Sequence, residues 1–362
     1  MRSSPSLLWS LMETYINQHG ARVFVPDEWK DIFPNLFEGK EFVPPKYQRN
    51  TNIKEPTYWI ERSGGGYGDV IHMLSALEDK VADIQEKESG KARITISVPS
   101  HHLFLLGQLK GKVTLHSSDV WESQESYLDT AIRGVREFFD LCCPCASYEE
   151  EVGFDVRKSR VEIFYETLGI AEKVRPPKLY FKGLENPFPK GKKVVGIGLQ
   201  STDKWRNWNL DRFLEVAKWL EHKGYFVVTI DHTLSLPGIP GIARKPIAEV
   251  VHDMAWLDGF VGLDSGLTYI AAGLGATTVG LYGETRGYTL LEKHYLNGHA
   301  IQVIRPDACV RPCYLNRGFY CNKINLSDCT TVCMAEISVK MVQDTWEMLE
   351  QYGTIGSTRI QK

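Results

Sequence analysis

The sequence predicts an α/β protein of two successive halves, each a parallel sheet flanked by helices. Three observations carry this. Residues 57–60, Thr-Tyr-Trp-Ile, read as a strand that enters a turn with four glycines in five positions, Gly64, Gly65, Gly66 and Gly68, followed by a helical run from Val70 to Leu77. Strand and helix patterns then alternate to about residue 170. After a Pro- and Lys-rich stretch at 171–193, the alternation restarts at Val194.

Composition bounds the function. The chain has 362 residues, 43% hydrophobic and 24% charged, as expected of a globular protein with two ordinary domains. A net charge of −3 argues against a nucleic-acid or anionic-membrane partner recognised by bulk electrostatics. Leu7, Leu8 and Trp9 are broken too early by Glu13 and Asn17 to form an export signal. No run approaches the ~20 apolar residues of a membrane span, so a cytoplasmic protein is expected. Eight cysteines fall in two groups, 142–145 and 309–333, and a chain this long needs no disulfides to build a core.

Taken in order, residues 1–56 form an extension. The apolar spacing of Leu8, Leu11, Met12 and Tyr15 predicts a helix from Ser4 to about His19; Arg22–Val25 reads as a short strand, and 39–56, with three prolines, as an extended connector. This extension reads as a packing or homo-oligomerisation arm. Residues 57–175 form the first half: the strand at 57–60, the helix to about Glu86, strands at 92–98, 112–116 and 137–142, and helical patterns at 102–109, 126–136 and 157–168. Residues 176–352 form the second: strands at 194–199, 225–230, 259–263 and 277–282, helices at 210–222, 246–254 and from Asp264 to Leu274, a Cys-rich loop at 309–333 and a last helix at 336–352. Residues 353–362 read as a tail.

Such halves place ligands beyond the carboxyl ends of their strands, and phosphate chemistry is the first question. A P-loop needs Gly-Lys-Ser/Thr after its glycines, and none is present. A dinucleotide fingerprint counted from Gly64 puts Asp69 where its third glycine belongs, and the second strand ends in Pro99-Ser100-His101-His102 rather than an acid.

Four motifs in order instead resemble the bacterial heptosyltransferases, glycosyltransferase family 9, which use ADP-heptose. These are Gly68-Asp69-Val70-Ile71-His72 through Leu77; Lys204-Trp205-Arg206-Asn207-Trp208; Gly262-Leu263-Asp264-Ser265-Gly266-Leu267 with Ala271–Gly275 and Leu281-Tyr282-Gly283; and Cys309 to Cys333 followed by Met334-Ala335-Glu336-Ile337. The resemblance implies the GT-B architecture, two Rossmann-like domains with parallel sheets facing a central cleft. It also implies an inverting, metal-independent transfer of a sugar, heptose first, from a nucleotide diphosphate to an acceptor hydroxyl. Two departures stand out: Tyr269 replaces a usual His, and Glu284 a usual Pro.

Such transfer needs a base for the hydroxyl and stabilisation of the departing diphosphate. Asp69 fits the base, and the resemblance assigns it that role; its alternative is a helix cap. Gly65, Gly66 and Gly68 read as clearance for the acceptor. The N–H groups of Ser265, Gly266 and Leu267, at a helix start, can hold diphosphate oxygens, and by resemblance Asp264 contacts sugar hydroxyls. Arg206, or Lys204, can neutralise the leaving group, with Ser201 and Thr202 as further phosphate donors. Asp231 is either a ribose-binding acid or a solvated loop residue. His72 reads as core or cleft wall.

No cofactor is expected to be required for catalysis. The spacings Cys309-x3-Cys313 and Cys329-x3-Cys333 suit metal ligation, so Cys309, Cys313, Cys321 and Cys333 form either a structural Zn or Fe site or packed thiols. Some relatives that glycosylate proteins carry iron in such a tail. Cys142, Cys143 and Cys145 read as buried thiols. The donor is ADP-heptose first, with UDP- or GDP-sugars open; the acceptor is a saccharide, a protein side chain or a modified nucleotide. A non-catalytic nucleotide-sugar-binding subunit is the reading of a different class.

Overall fold

A computed structural model describes residues 56–118, 135–152, 156–181, 185–242, 246–283, 285–303 and 332–352, with four short strands before them. The predicted helix at 126–136 lies almost wholly outside these residues, and Glu284, Cys309, Cys313, Cys321, Cys329 and the tail lie outside them altogether. The chain forms two compact units, residues 1–58 with 121–138, and residues 59–120 with 139–362.

Before residue 56 the described elements are strands. β1 (Met12–Ile16) pairs antiparallel with β2 (Arg22–Pro26), in register from Met12 opposite Pro26 to Ile16 opposite Arg22. This corrects the helix expected over Ser4–His19. Thr14, Tyr15 and Ile16 favour a pleated strand, and the neighbouring strand supplies the ladder, so pairing overrides the helical spacing of the apolar residues. β3 (Phe37–Glu38) and β4 (Glu41–Phe42) pair antiparallel, placing strand where a connector was expected.

β5 (Thr57–Glu61) leads through the glycine turn into α1 (Tyr67–Lys87). β6 (Arg93–Val98), a 3-10 segment at Ser100–Leu109, β7 (Thr114–Ser117) and β8 (Glu137–Asp140) follow, then α2 (Pro144–Val152) and α3 (Arg160–Thr167). α2 carries little apolar periodicity, and the sequence pattern does not announce it. The sheet order is β7-β6-β5-β8. The order therefore reverses between β5 and β8.

The second sheet holds β9 (Val194–Ile197), β10 (Phe226–Thr229), β11 (Gly259–Leu263), β12 (Thr277–Tyr282) and β13 (Gly298–Gln302), in the order β10-β9-β11-β12-β13 and parallel throughout. α4 (Leu210–His222), α5 (Ile247–Met254), α6 (Gly266–Gly273), α7 (Val332–Glu336) and α8 (Val339–Gln351) accompany it. α4 starts at Asn209, whose side chain accepts from the N–H groups of Asp211 and Arg212, and buries Phe213, Val216, Ala217 and Leu220 as its spacing predicts. Here the strand order reverses between β9 and β11, the point at which such sheets leave a crevice. β13 and the π-helical turn Tyr288–Glu292 before it are absent from the sequence reading. Two parallel sheets with helices packed on them confirm the predicted fold class. Among the described residues no helix is long and apolar enough to cross a membrane.

Candidate functional site

Polar residues gather at both reversal points. At the first, the chain leaves β5 at Glu61, and the buried Arg62 spans to the end of β8, where its Nη1 donates to the carbonyls of Leu141 and Cys142. At the second, Ser201 follows β9 and Asp264 follows β11, and Ser201 Oγ donates to the Asp264 carbonyl at 3.1 Å.

The glycine turn brings Asp69 back over Arg62. Gly65 has φ +98° and leaves room for that pair; a Cβ there would stand 2.3 Å from Arg62 Nη2 and 2.7 Å from Asp69 Oδ2. Gly68 makes room for Tyr269, whose Cδ2 would lie 2.7 Å from an added Cβ. Gly64 and Gly66 face open space. The neighbours of Gly65 and Gly68 are thus protein atoms, while Gly66 retains the clearance that the sequence assigned to the turn.

Asp69 is held on three sides. Arg62 Nη2 lies 3.2 Å from Oδ2, Gly66 N–H donates to Oδ2 at 3.0 Å, and Arg160 Nη1 donates to Oδ1 at 3.0 Å. Its side chain keeps 16% of its exposure, so a ligand can reach it. Burial raises its pKa, but Arg160, Arg62 and the Gly66 N–H outweigh burial and hold the carboxyl down at about 2. Arg160 in turn donates from Nε to Glu149 Oε1 at 3.1 Å and from Nη2 to Oε2 at 3.3 Å. Sequence reasoning missed Arg62, Glu149 and Arg160. Arg62 adjoins the glycine motif and could have been weighed; the other two arrive from α2 and α3, about 80 to 90 residues on in sequence, and only folding brings them in.

Asp264 is a buried hub. Tyr269 Oη donates to Oδ1 at 2.5 Å, Thr285 Oγ1 donates to Oδ2 at 2.6 Å, and Arg206 Nη1 pairs with Oδ2 at 3.2 Å. Burial opposes its charge, yet Arg206 with the two hydroxyls holds its pKa below the ordinary carboxylate value. Tyr269, where the resemblance expects His, therefore orients this carboxylate, and burial beside that charge drives its own phenol pKa well up. Of the two expected cations, Arg206 reaches the hub, whereas Lys204 is exposed and lies over the ring of Trp205 at 4.8 Å. Thr202 is exposed as well. Trp208 is buried, donating from Nε1 to the Ile337 carbonyl at 3.0 Å, and so anchors the loop that carries Arg206. Ser265 caps α6 without a side-chain bond, and Ser265, Gly266 and Leu267 remain partly exposed.

The two centres meet. A Cβ at Gly266 would lie 2.8 Å from Tyr67 Cβ and 3.3 Å from the Gly68 nitrogen, so the start of α6 rests directly on the start of α1. Behind this contact His72 is buried, its Nδ1 3.0 Å from Tyr295 Oη and its ring 4.4 Å from that of Tyr269. Burial, aided by Arg160, drives its pKa down to about 3, which makes it a neutral part of the wall. Beside the contact, Glu149, Lys158, Arg160, Thr285, Arg286 and Thr289 are among the residues that line a small, shallow recess.

The remaining expectations are placed as follows. Asp231 organises its own loop, accepting from the N–H groups of Thr233 at 2.9 Å and Leu234 at 2.8 Å; it is buried rather than solvated. Cys145 is buried, and Cys142 and Cys143 are partly exposed, which corrects the expectation of three buried thiols. Cys333 is buried in the second-half core beside Met334. Among the described residues no group of three or more His, Cys, Asp or Glu side chains is arranged to hold a metal.

Residues 242–291, which include α5, β11, α6 and β12, match the model of glycosyltransferase family 9 (heptosyltransferase). No curated protein sequence matches the chain. Among solved structures, the iron-containing dodecameric glycosyltransferase TibC from enterotoxigenic E. coli H10407 aligns over 82% of this chain and 77% of its own, with 16% identity and a TM-score of 0.61. ADP-heptose lipopolysaccharide heptosyltransferase II of E. coli aligns over 82% and 99%, with 15% identity and a TM-score of 0.57. A family 9 glycosyltransferase from Veillonella parvula DSM 2008 aligns over 83% and 98%, with 12% identity and a TM-score of 0.57. At these identities the structural likeness carries the fold.

Proposed function

We propose, from the premise that this chain is a glycosyltransferase of the heptosyltransferase family, that it transfers a sugar from a nucleotide diphosphate to an acceptor hydroxyl with inversion, without a catalytic metal, and with Asp69 as the base. The first half presents the acceptor and Asp69, the second holds the donor, and the reaction takes place in the cytoplasm. One observation carries the reading: the starts of α1 and α6 touch at Tyr67, Gly68 and Gly266, so that the acid of one motif and the helix terminus of the other serve a single reaction centre.

At that centre the α6 terminus, with Ser201, Thr202 and Arg206, supplies donors for the departing diphosphate, and Lys204 lies on the same loop. Asp264 keeps Arg206 in place and offers the sugar hydroxyls a partner by exchanging Thr285 or Tyr269. ADP-heptose is the first donor to test, since TibC has been solved with ADP-D-β-D-heptose. Asp69→Ala is expected to abolish transfer while nucleotide affinity survives. Turnover within a few-fold of the parent would remove the base assignment, and thermal stabilisation by none of the ADP-, UDP- or GDP-sugars would remove the donor site. Cys309, Cys313, Cys321 and Cys333 are the proposed ligands of a structural Zn or Fe; elemental analysis should find about one metal per chain, lost on Cys313→Ser.

A further inference from the structure

The carboxylate of Asp69 has four lone-pair positions in all, two on each oxygen. Oδ2 accepts Gly66 N–H at 3.0 Å and has the Arg62 guanidinium beside it, Nη2 at 3.2 Å. Among the described residues, Oδ1 receives Arg160 Nη1 alone, at 3.0 Å. Oδ1, the oxygen that Arg160 holds, is therefore the less crowded of the two.

Arg160 is itself fixed. Its Nε and Nη2 grip both oxygens of Glu149, whose side chain is only 5% exposed, against 25% for Arg160 and 16% for Asp69. It is the first residue of α3, behind a closed capping box in which Ser159 N–H donates to Glu162 Oε2 at 2.7 Å and Glu162 N–H donates to Ser159 Oγ at 3.1 Å. Glu162 also receives Lys293 Nζ at 2.7 Å, from the second half. With one edge of its planar fork gripped by Glu149, Arg160 turns Nη1 towards Asp69 and so fixes the side from which Oδ1 is held.

We propose that Arg160, clamped by Glu149, is a positioning residue that presents Oδ1 of Asp69 as the proton-accepting atom. This rests on the reading of Asp69 as the base. In the step it serves, the acceptor oxygen bonds the anomeric carbon as the bond from that carbon to the diphosphate breaks. The electron pair of the broken bond leaves on the diphosphate, and the acceptor proton ends on Oδ1. Other titratable groups around Asp69 are Arg62 on its far side, His72 one helical turn on, and Cys145. Arg62 makes its closest approach to Oδ2 rather than Oδ1.

The test separates this inference from the base assignment. Carbon-13 carboxyl NMR of the full chain follows the titration of Asp69, identified by its loss in Asp69→Asn. In Arg160→Gln the midpoint is expected to rise by about one pH unit or more, and consumption of ADP-heptose to fall about 100-fold. Arg160→Lys is expected to restore the midpoint but not the turnover, because an ammonium cannot hold Glu149 and Asp69 at fixed angles. Glu149→Gln, which keeps the guanidinium and loosens its clamp, is expected to lower turnover with little change in the midpoint, and it decides the matter if Arg160→Gln does not fold. An unmoved Asp69 midpoint in Arg160→Gln, or full turnover in Arg160→Lys or Glu149→Gln, overturns the inference. Persistent turnover in Asp69→Asn overturns the base reading alone, leaving the measured coupling between Asp69 and Arg160 intact.

Discussion

A carboxylate held between two guanidinium groups is a weak base towards a neutral hydroxyl. With its pKa at about 2, Asp69 is ionised at neutral pH but has little drive to take a proton before the new bond forms. In the proposed reaction the acceptor oxygen becomes strongly acidic once it begins to bond carbon, and even this carboxylate would then accept the proton. The pH profile of kcat/KM should therefore show no acid limb between pH 4 and 7, and a limb near pH 6 would contradict this environment for Asp69. Asp69→Asn should lower transfer about 100- to 10,000-fold, measured as release of nucleotide diphosphate. A second residue behaves oppositely. Glu61 is fully buried, with Trp59 Nε1 donating to Oε2 at 2.9 Å, and burial, reinforced by Asp140, raises its pKa from 4.5 to about 7 despite bonds from Trp59 and Ser97. Its folded pKa is raised, so its contribution to stability is fully present below pH 4.5, falls as pH rises, and is gone above about 7. Glu61→Gln should remove a pH dependence of the order of 3 kcal/mol over that window, read from urea midpoints at pH 5 and 8.

At the scale of elements, the contact of α1 with α6 depends on two missing side chains. An alanine at Gly68 would meet the Tyr269 ring at 2.7 Å, and one at Gly266 would meet Tyr67 Cβ at 2.8 Å and the Gly68 backbone nitrogen at 3.3 Å. The Tyr269 ring is packed against His72, and a backbone nitrogen cannot rotate away, so both changes force the helices apart. Each should cost about 1–3 kcal/mol. Gly266→Ala should be the worse for transfer, since it separates the acid from the proposed donor terminus; Gly64→Ala, with nothing within 4 Å, is the control. Equal melting temperatures for the alanine variants at 64 and 266 would show that the contact is not tight. These elements were legible for a physical reason. α4 has an Asn cap and a clear apolar period, and β11 and β12 are short continuous apolar runs, so local chemistry suffices. β13, Gly-His-Ala-Ile-Gln, has no such run; it is a strand because β12 offers it an edge. Met12–Ile16 likewise follows its partner rather than its own apolar spacing.

Across the molecule, polar links between the two halves among the described residues lie along Lys293, His294 and Tyr295. Lys293 bridges from the second half to Glu162 at 2.7 Å and to the Arg157 carbonyl at 2.9 Å, with both charged side chains about a quarter exposed. Lys293→Ala should cost no more than about 1 kcal/mol of stability. Because Glu162 caps the helix that carries Arg160, it should nonetheless reduce transfer, and a loss of stability without loss of transfer would break that connection. A donor nucleotide that binds the folded chain alone should stabilise it by about 2.7 kcal/mol at 100 times its Kd, read as a shift in melting temperature.

The linear sequence by itself determined the two parallel-sheet halves and the places of Asp69, Arg206 and Asp264, because glycine turns, strand ends and helix starts are local features that a few neighbouring residues encode. Only the tertiary structure decided the partners of those acids. Arg160 and Glu149 approach Asp69, and Thr285 approaches Asp264, by virtue of strand order and helix packing. The charge state of a buried carboxylate depends on what surrounds it in space, and no spacing along the chain records that.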